Sequence, residues 1–157
     1  MVDHVAIYAG GDSVIEAIGQ GVVMTHVDTL LSRESGYYVV ARPHSADADR
    51  SVARARAYLG LPYDHLFLPG DSAVYCSELV LLAFVDRRDS ALFMPVPMSF
   101  HDESGRITDF WRQHYARHGM EVPEGWPGSN PSELSRRTSL KIMGKVPFRR
   151  SKARDRK

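Results

Sequence analysis

A chain of 157 residues, 43% hydrophobic and 25% charged, has the make-up of one globular domain that buries about two thirds of its unfolded surface. Its single cysteine excludes an intrachain disulfide and cysteine-based zinc sites, so packing must hold the fold. The longest apolar run, Leu79 to Val85, falls far short of the roughly 20 residues that cross a bilayer, and the start lacks a signal-peptide pattern, so the chain is expected to be soluble, with its compartment unspecified.

His4 opens an alternating stretch that runs to Ala9, and Val14 to Ile18 follows Gly10-Gly11-Asp12-Ser13, so the chain is expected to begin with a β-hairpin. Glu16 is the only acidic residue within the second strand. An odd loop, such as Gly10-Gly11-Asp12, puts His4 and Glu16 on one face within diagonal or direct reach; an even loop puts them on opposite faces. The plainer alternative is a solvent-facing Glu16 and a His4 that frays with the terminus. Val22 to Thr25 continues the sheet, Asp28 to Arg33 reads as a short helix, and Tyr37 to Arg42 reads as a strand stopped by Pro43. A longer helix is expected from Ala46 to Leu59, with Ser45 as cap and Val52, Ala55 and Leu59 at helical spacing.

Gly60-Leu61-Pro62-Tyr63-Asp64 ends that helix, and Leu68 to Ser72 is a loop that delivers the chain to a helix from Cys76 to about Arg87. Phe93 to Phe100 is expected to be extended and Ile107 to His118 helical. Pro123 to Pro131 reads as a loop, and Pro131 to Arg137 as a short helix capped by Asn130. The domain is placed at 1–144. Residues 145–157, where Lys145, Arg149, Arg150, Lys152, Arg154, Arg156 and Lys157 face only Asp155, read as a disordered basic tail. An anionic membrane is the partner that tail would suit; nucleic acid is not expected.

Cys76 stands where a turn-rich stretch becomes an apolar helix. A thiol there lies among unpaired backbone N–H groups at the positive end of the helix dipole, and both favour the thiolate. Acyl transfer needs such a thiol, a histidine to shuttle the proton, a group to orient that histidine, and N–H donors for the oxyanion. Cys76, His4, Glu16 and the N–H of Cys76 are the candidates. Against this stands the ordinary use of a free cysteine as a small buried hydrophobe. Rival signals are weak. Gly11-Asp12-Ser13 and Gly70-Asp71-Ser72 echo a serine-lipase motif without its helix, and His114 and His118 have zinc-like i, i+4 spacing but Tyr115 where a metalloprotease carries glutamate. No cofactor or metal is expected.

The segments His4-Val5-Ala6-Ile7-Tyr8, Val14-Ile15-Glu16-Ala17, Gly60-Leu61-Pro62-Tyr63-Asp64, Tyr75-Cys76-Ser77-Glu78-Leu79-Val80 and Gly128-Ser129-Asn130-Pro131-Ser132-Glu133-Leu134-Ser135 resemble the YiiX/YaeF-type permuted papain-like cysteine hydrolases, kin of the NlpC-type peptidases and the lecithin:retinol acyltransferase-like enzymes. The resemblance spans His4 to about Ser139 and has the permuted order, histidine before cysteine. It implies an α+β, permuted papain-like (NlpC-type) fold, with a small antiparallel sheet or barrel packed against the nucleophile helix. It implies Cys76 as nucleophile, His4 as acid and base, Glu16 as its orienting residue and Tyr63 lining the site. The implied reaction is cleavage of an amide or ester, in a peptide, cell-wall or lipid acyl substrate, through a thioester. Alternatives are a lipid acyltransferase or phospholipase of the same superfamily, and a non-catalytic module that keeps the fold. Family members carry a Gly-Asp-containing strand ahead of the histidine motif, whereas this sequence opens three residues before His4. The His4 strand is therefore expected to present an unpaired edge and to be mobile or to form a homodimer.

Overall fold

The computed structural model describes residues 2–33, 37–70 and 72–147. Strands β1 (Ile7–Gly10), β2 (Ser13–Ile18) and β3 (Gly21–His26) form an antiparallel meander in the order β1-β2-β3, with β1 at an edge. The first turn takes positive φ at Gly10, Gly11 and Asp12, a path glycine and aspartate tolerate far better than other residues. A register shift between Tyr8 and Gly10 then leaves Ile7 opposite Ile15 and Tyr8 opposite Val14. Continued outward, that register sets Ala6 opposite Glu16 and His4 further along the same face, which is the odd-loop outcome. His4 itself is not in the strand, because β1 begins only at Ile7.

Helix α1 (Val27–Ser32) closes the meander, and strand β4 (Tyr37–Pro43) leads to α2 (Ala48–Ala57). The cap of α2 is Asp47, whose carboxylate accepts from Arg50 N, rather than Ser45. An aspartate closer to the apolar positions outcompetes the serine two residues earlier. Helix α3 (Cys76–Ala83) starts where the sequence predicts but stops before Arg87, since Phe84 leaves the helical region. It packs on α2 and on β2, and its Leu79, Val80 and Ala83 join Ile7, Ile15, Ala17, Val22, Ala55 and Phe93 in the main core.

The expected Phe93–Phe100 strand shrinks to β5 (Val96–Pro97), paired with β6 (Pro127–Gly128); α4 (Asp109–Ala116) and α5 (Pro131–Leu134, capped by Asn130) complete the helices. Strand β7 (Leu140–Pro147) pairs with β4 in a separate two-stranded ribbon. Lys145 to Pro147 thus belong to a strand and not to a tail, while 148–157 lie outside the described residues. The architecture is mixed α and β with small antiparallel sheets, and no closed barrel forms among the described residues. No described helix is long and apolar enough to cross a membrane.

Candidate active site

Three distant segments meet at the first turn of α3. Cys76 is its first residue, after an extended Tyr75, and the helix ladder opens with Leu79 N donating to Tyr75 O at 3.0 Å. The N–H groups of Cys76, Ser77 and Glu78 therefore precede the ladder and point out of the helix end. Cys76 is 6% exposed, tucked against the core rather than displayed on the surface.

Glu16 comes from the middle of β2 and is fully buried. A carboxylate there must be paired and hydrogen-bonded to be tolerated. One oxygen, Oε2, lies 2.8 Å from His4 Nε2, and the other, Oε1, accepts from Arg33 Nη1 at 2.6 Å, with Thr25 of β3 adding a further hydrogen bond. Burial alone would raise its pKa, but the hydrogen bonds from His4, Thr25 and Arg33 and the Arg33 charge outweigh it and hold the carboxyl down at about 2.

The Cys76 thiol is the other group that acts on the His4 imidazole. Since Nε2 is committed to Glu16, the nitrogen left for the thiol is Nδ1. Burial pulls the His4 pKa down; the hydrogen bonds to Cys76 and Glu16, and the negative charge of each, overcome it and lift the group to about 9. His4 is thus a cation at neutral pH, set between two groups able to carry negative charge.

Tyr63 is brought to the site by two backbone brackets. Val74 N donates to Pro62 O at 3.0 Å and Asp64 N to Val74 O at 3.3 Å, clipping the tyrosine beside the approach to Cys76. Upstream, Val22 N donates to Leu61 O and Gly60 N to Val22 O, seating the same segment on β3. Burial, then the negative charge at Cys76, Asp64 and Tyr75, push the Tyr63 hydroxyl up to about 12, so it stays a donor across the physiological range.

The late segment locks the other two in place. Ser129 N donates to Tyr75 Oη at 3.1 Å, and Ser77 Oγ donates to Ser129 O at 3.1 Å, fastening this strand to the start of α3. A side chain at Gly128 would displace Met98 and crowd Tyr75 Oη. Three residues beyond Ser129, Ser132 Oγ accepts from Val2 N at 2.8 Å and donates to Val2 O at 2.9 Å. One segment thereby holds both the cysteine helix and the histidine-bearing start of the chain.

Sequence reasoning names Cys76, His4, Glu16 and Tyr63, and the fold brings all four to this site. It misses Arg33, Thr25 and Ser132. It also misses Glu78 at the third position of α3, whose carboxylate reaches back to the Tyr75 N–H in half of a capping box. Its Oε2 is buried without a partner among the described residues, and burial, with the charge of Asp64, raises its pKa to about 7 despite that bond.

The family model described as permuted papain-like amidase enzyme, YaeF/YiiX, C92 family, matches residues 1–143. The chain belongs to this family. The crystal structure of the metalloprotein yiiX from Escherichia coli O157:H7 is similar to this C92 chain, with a TM-score of 0.64, 24% identity, and coverage of 85% of this chain and 76% of that one. At that identity the likeness establishes the papain-like fold alone. No curated protein matches the chain. The yiiX protein is called a metalloprotein, but in this C92 chain no three His, Cys, Asp or Glu side chains among the described residues are grouped to hold a metal ion. His114 and His118, with ring centroids 5.8 Å apart, gain no third ligand of that kind.

Proposed function

We propose that this chain is a cysteine-dependent hydrolase that cleaves an amide or ester through a thioester on Cys76, with His4 as acid and base and Glu16 as its orienting partner. The observation that carries the reading is the His4 imidazole held 2.8 Å from the buried Glu16 carboxylate, with Cys76 at the start of α3 acting on the same ring. The attacking form in this reading is a thiolate–imidazolium pair, in which His4 holds the proton.

In the acylation step Sγ attacks the carbonyl carbon and the electron pair moves to the carbonyl oxygen. The Cys76 N–H, unpaired at the helix start, is a donor for that oxyanion, and the neutral Tyr63 hydroxyl is available to line the same side. His4 Nδ1 then gives its proton to the leaving nitrogen or oxygen as that bond breaks. In deacylation His4 takes a proton from water, the hydroxide adds to the thioester, and the thiolate departs to regenerate the ion pair. Glu16 keeps its charge throughout and fixes the imidazole, much as a triad carboxylate does.

The family's description as amidases favours an amide as the scissile bond. Peptide and lipid acyl groups both remain within this chemistry, and an acceptor other than water would make the same site an acyltransferase. The test is a small panel of acyl p-nitroanilides and p-nitrophenyl esters, read together with intact mass for an acyl adduct. Turnover with an adduct on Cys76 is expected, and hydrolysis that persists in Cys76→Ala would sink the assignment.

A further inference from the structure

The β4–β7 ribbon stands apart from the three-stranded sheet and contains no acidic residue: its strands read Tyr-Tyr-Val-Val-Ala-Arg-Pro and Leu-Lys-Ile-Met-Gly-Lys-Val-Pro. Two-stranded ribbons are marginal in water unless something covers them. This one is attached at its base, where Leu140 packs on the main core and His44 N donates to Ser139 O, and at Tyr38, whose hydroxyl reaches the Leu30 and Arg33 carbonyls. Beyond those anchors it exposes large apolar side chains, with Tyr37 57%, Ile142 49% and Met143 51% exposed. The ladder pairs Val39 with Lys145 and Ala41 with Ile142, so Tyr37, Val39, Ala41, Ile142 and Lys145 share one face.

The charges on this ribbon are as unusual as its exposed apolar groups. Arg42 sits directly opposite Lys141, a cross-strand pairing of like charges that costs stability. Among the described residues none of Arg42, Lys141 and Lys145 is paired with a carboxylate; Lys145 Nζ lies instead 4.4 Å from the centre of the Tyr37 ring. The chain then continues for ten residues that add six lysines and arginines against one aspartate.

We propose that this ribbon docks edge-on against an anionic phospholipid bilayer, Tyr37 and Ile142 entering the headgroup boundary with Lys145 on their face, while Arg42 and Lys141, on the opposite face, reach the lipid phosphates along their flexible stems. Lipid headgroups would screen the Arg42–Lys141 repulsion, and the interface would cover Tyr37 and Ile142. Apolar side chains interleaved with the basic ones favour a bilayer over a nucleic acid, which takes charge and stacking but offers no place for isoleucine and methionine.

The experiment is co-sedimentation of the full chain with vesicles of phosphatidylcholine alone, and of phosphatidylcholine mixed equally with phosphatidylglycerol, at low and high salt. Binding is expected only to the mixed vesicles and should weaken with salt. Lys141→Gln with Lys145→Gln should lower partitioning about 30-fold, from roughly fivefold per basic residue, while Lys141→Arg with Lys145→Arg retains it. Tyr37→Ser with Ile142→Ser should lower it about tenfold. These positions are exposed, so all three variants should melt as the wild type does. The inference is overturned by any of four results: no binding, or equal binding to both vesicles; ribbon variants that bind like wild type while neutralising the basic residues of 148–157 abolishes binding; a DNA or RNA duplex that displaces the vesicles and binds more tightly; or a stable dimer that the Tyr37→Ser, Ile142→Ser variant dissolves.

Discussion

Glu16 holds His4 with one carboxylate oxygen, at 2.8 Å, and Arg33 with the other, at 2.6 Å. The carboxylate is therefore fixed in position and charge before any substrate arrives. Glu16→Gln keeps the shape but loses the charge and presents an amide to two donors, so kcat/KM should fall. The fall should be smaller than in His4→Ala, which removes the proposed proton shuttle and is expected to cost roughly a hundredfold to ten-thousandfold. A Glu16→Gln enzyme equal to wild type would show that His4 is oriented by something else.

Arg33→Ala tests the other half of this relationship. It leaves the buried Glu16 with His4 and Thr25 alone, and loss of a charge-assisted hydrogen bond costs about 1–3 kcal/mol of folding stability. The Glu16 pKa should rise from its value of about 2, which moves the acid limb of stability toward neutral pH. Urea melts across the acid range would detect both effects.

The His4 pKa is raised from 6.5 to about 9, so the folded protein holds that proton more tightly than the unfolded chain. The stability this group contributes is full below pH 6.5 and is lost as pH rises through about 9. Glu16 behaves oppositely: its contribution is present above pH 4.5 and is lost as pH falls toward about 2. Stability should therefore decline between pH 6.5 and 9, and His4→Gln should flatten that limb alone. Alkylation of Cys76 by iodoacetamide at about pH 7 should also slow in this variant, because the sulfur loses the cation beside it.

Glu78 gives a pH effect that is separable from the site chemistry. Its carboxyl is raised from 4.5 to about 7, so its favourable contribution is complete below pH 4.5 and gone above about 7. Glu78→Gln retains an acceptor for the Tyr75 N–H without a buried charge. The variant should match wild type near pH ~4 and exceed it by about 1–3 kcal/mol at pH ~8. Equal stability on the alkaline side would mean that water already solvates Oε2.

What could be read from residues alone follows physical range. The Cys76 helix start was legible because a turn-to-apolar transition is local, whereas the His4–Glu16 face was legible only as one of two outcomes, since strand parity turns on a loop length that the residues left open. The exact span of β1 was not, since pairing with β2 begins only at Ile7 and residues 4–6 are held by side-chain contacts that the alternating pattern does not show. Strand β7 was hidden for another reason: its partner β4 lies about a hundred residues upstream, and a basic segment beside a basic tail carries no signal of that pairing. Arg33 and Ser132 act on Glu16 and Val2 through contacts set wholly by tertiary packing, so nothing in their neighbourhoods announces them.

Ser132→Ala should release Val2, which the serine holds by two hydrogen bonds, and loosen the segment that carries His4. Because β1 is an edge strand, this segment has no strand beside it to take over the restraint among the described residues. Amide exchange at Val2 to Val5 should speed up, and kcat should fall with little change in melting temperature; Ser132→Thr, which keeps the hydroxyl, should restore much of both. Slow exchange and full activity in Ser132→Ala would show that the His4–Glu16 contact alone suffices to hold the start of the chain.

Gly21 links the sheet to Tyr63. Its φ of +106° is a conformation that other residues adopt only with strain, and a Cβ there would collide with the Leu61 carbonyl oxygen. That oxygen accepts from Val22 N at 2.8 Å, and the contact seats the segment that delivers Tyr63 beside Cys76. Gly21→Ala must therefore either bend β3 or push residues 60–62 away, and since β3 is locked into β2 along its whole length, the loop is the part that gives. The expected cost is about 1–3 kcal/mol of stability from backbone strain, together with a loss of kcat as Tyr63 moves off the site. Tyr63→Phe in the unaltered backbone supplies the comparison. If Gly21→Ala lowers stability but leaves kcat above that of Tyr63→Phe, the Leu61 contact is structural only and Tyr63 is positioned by the Val74 bracket.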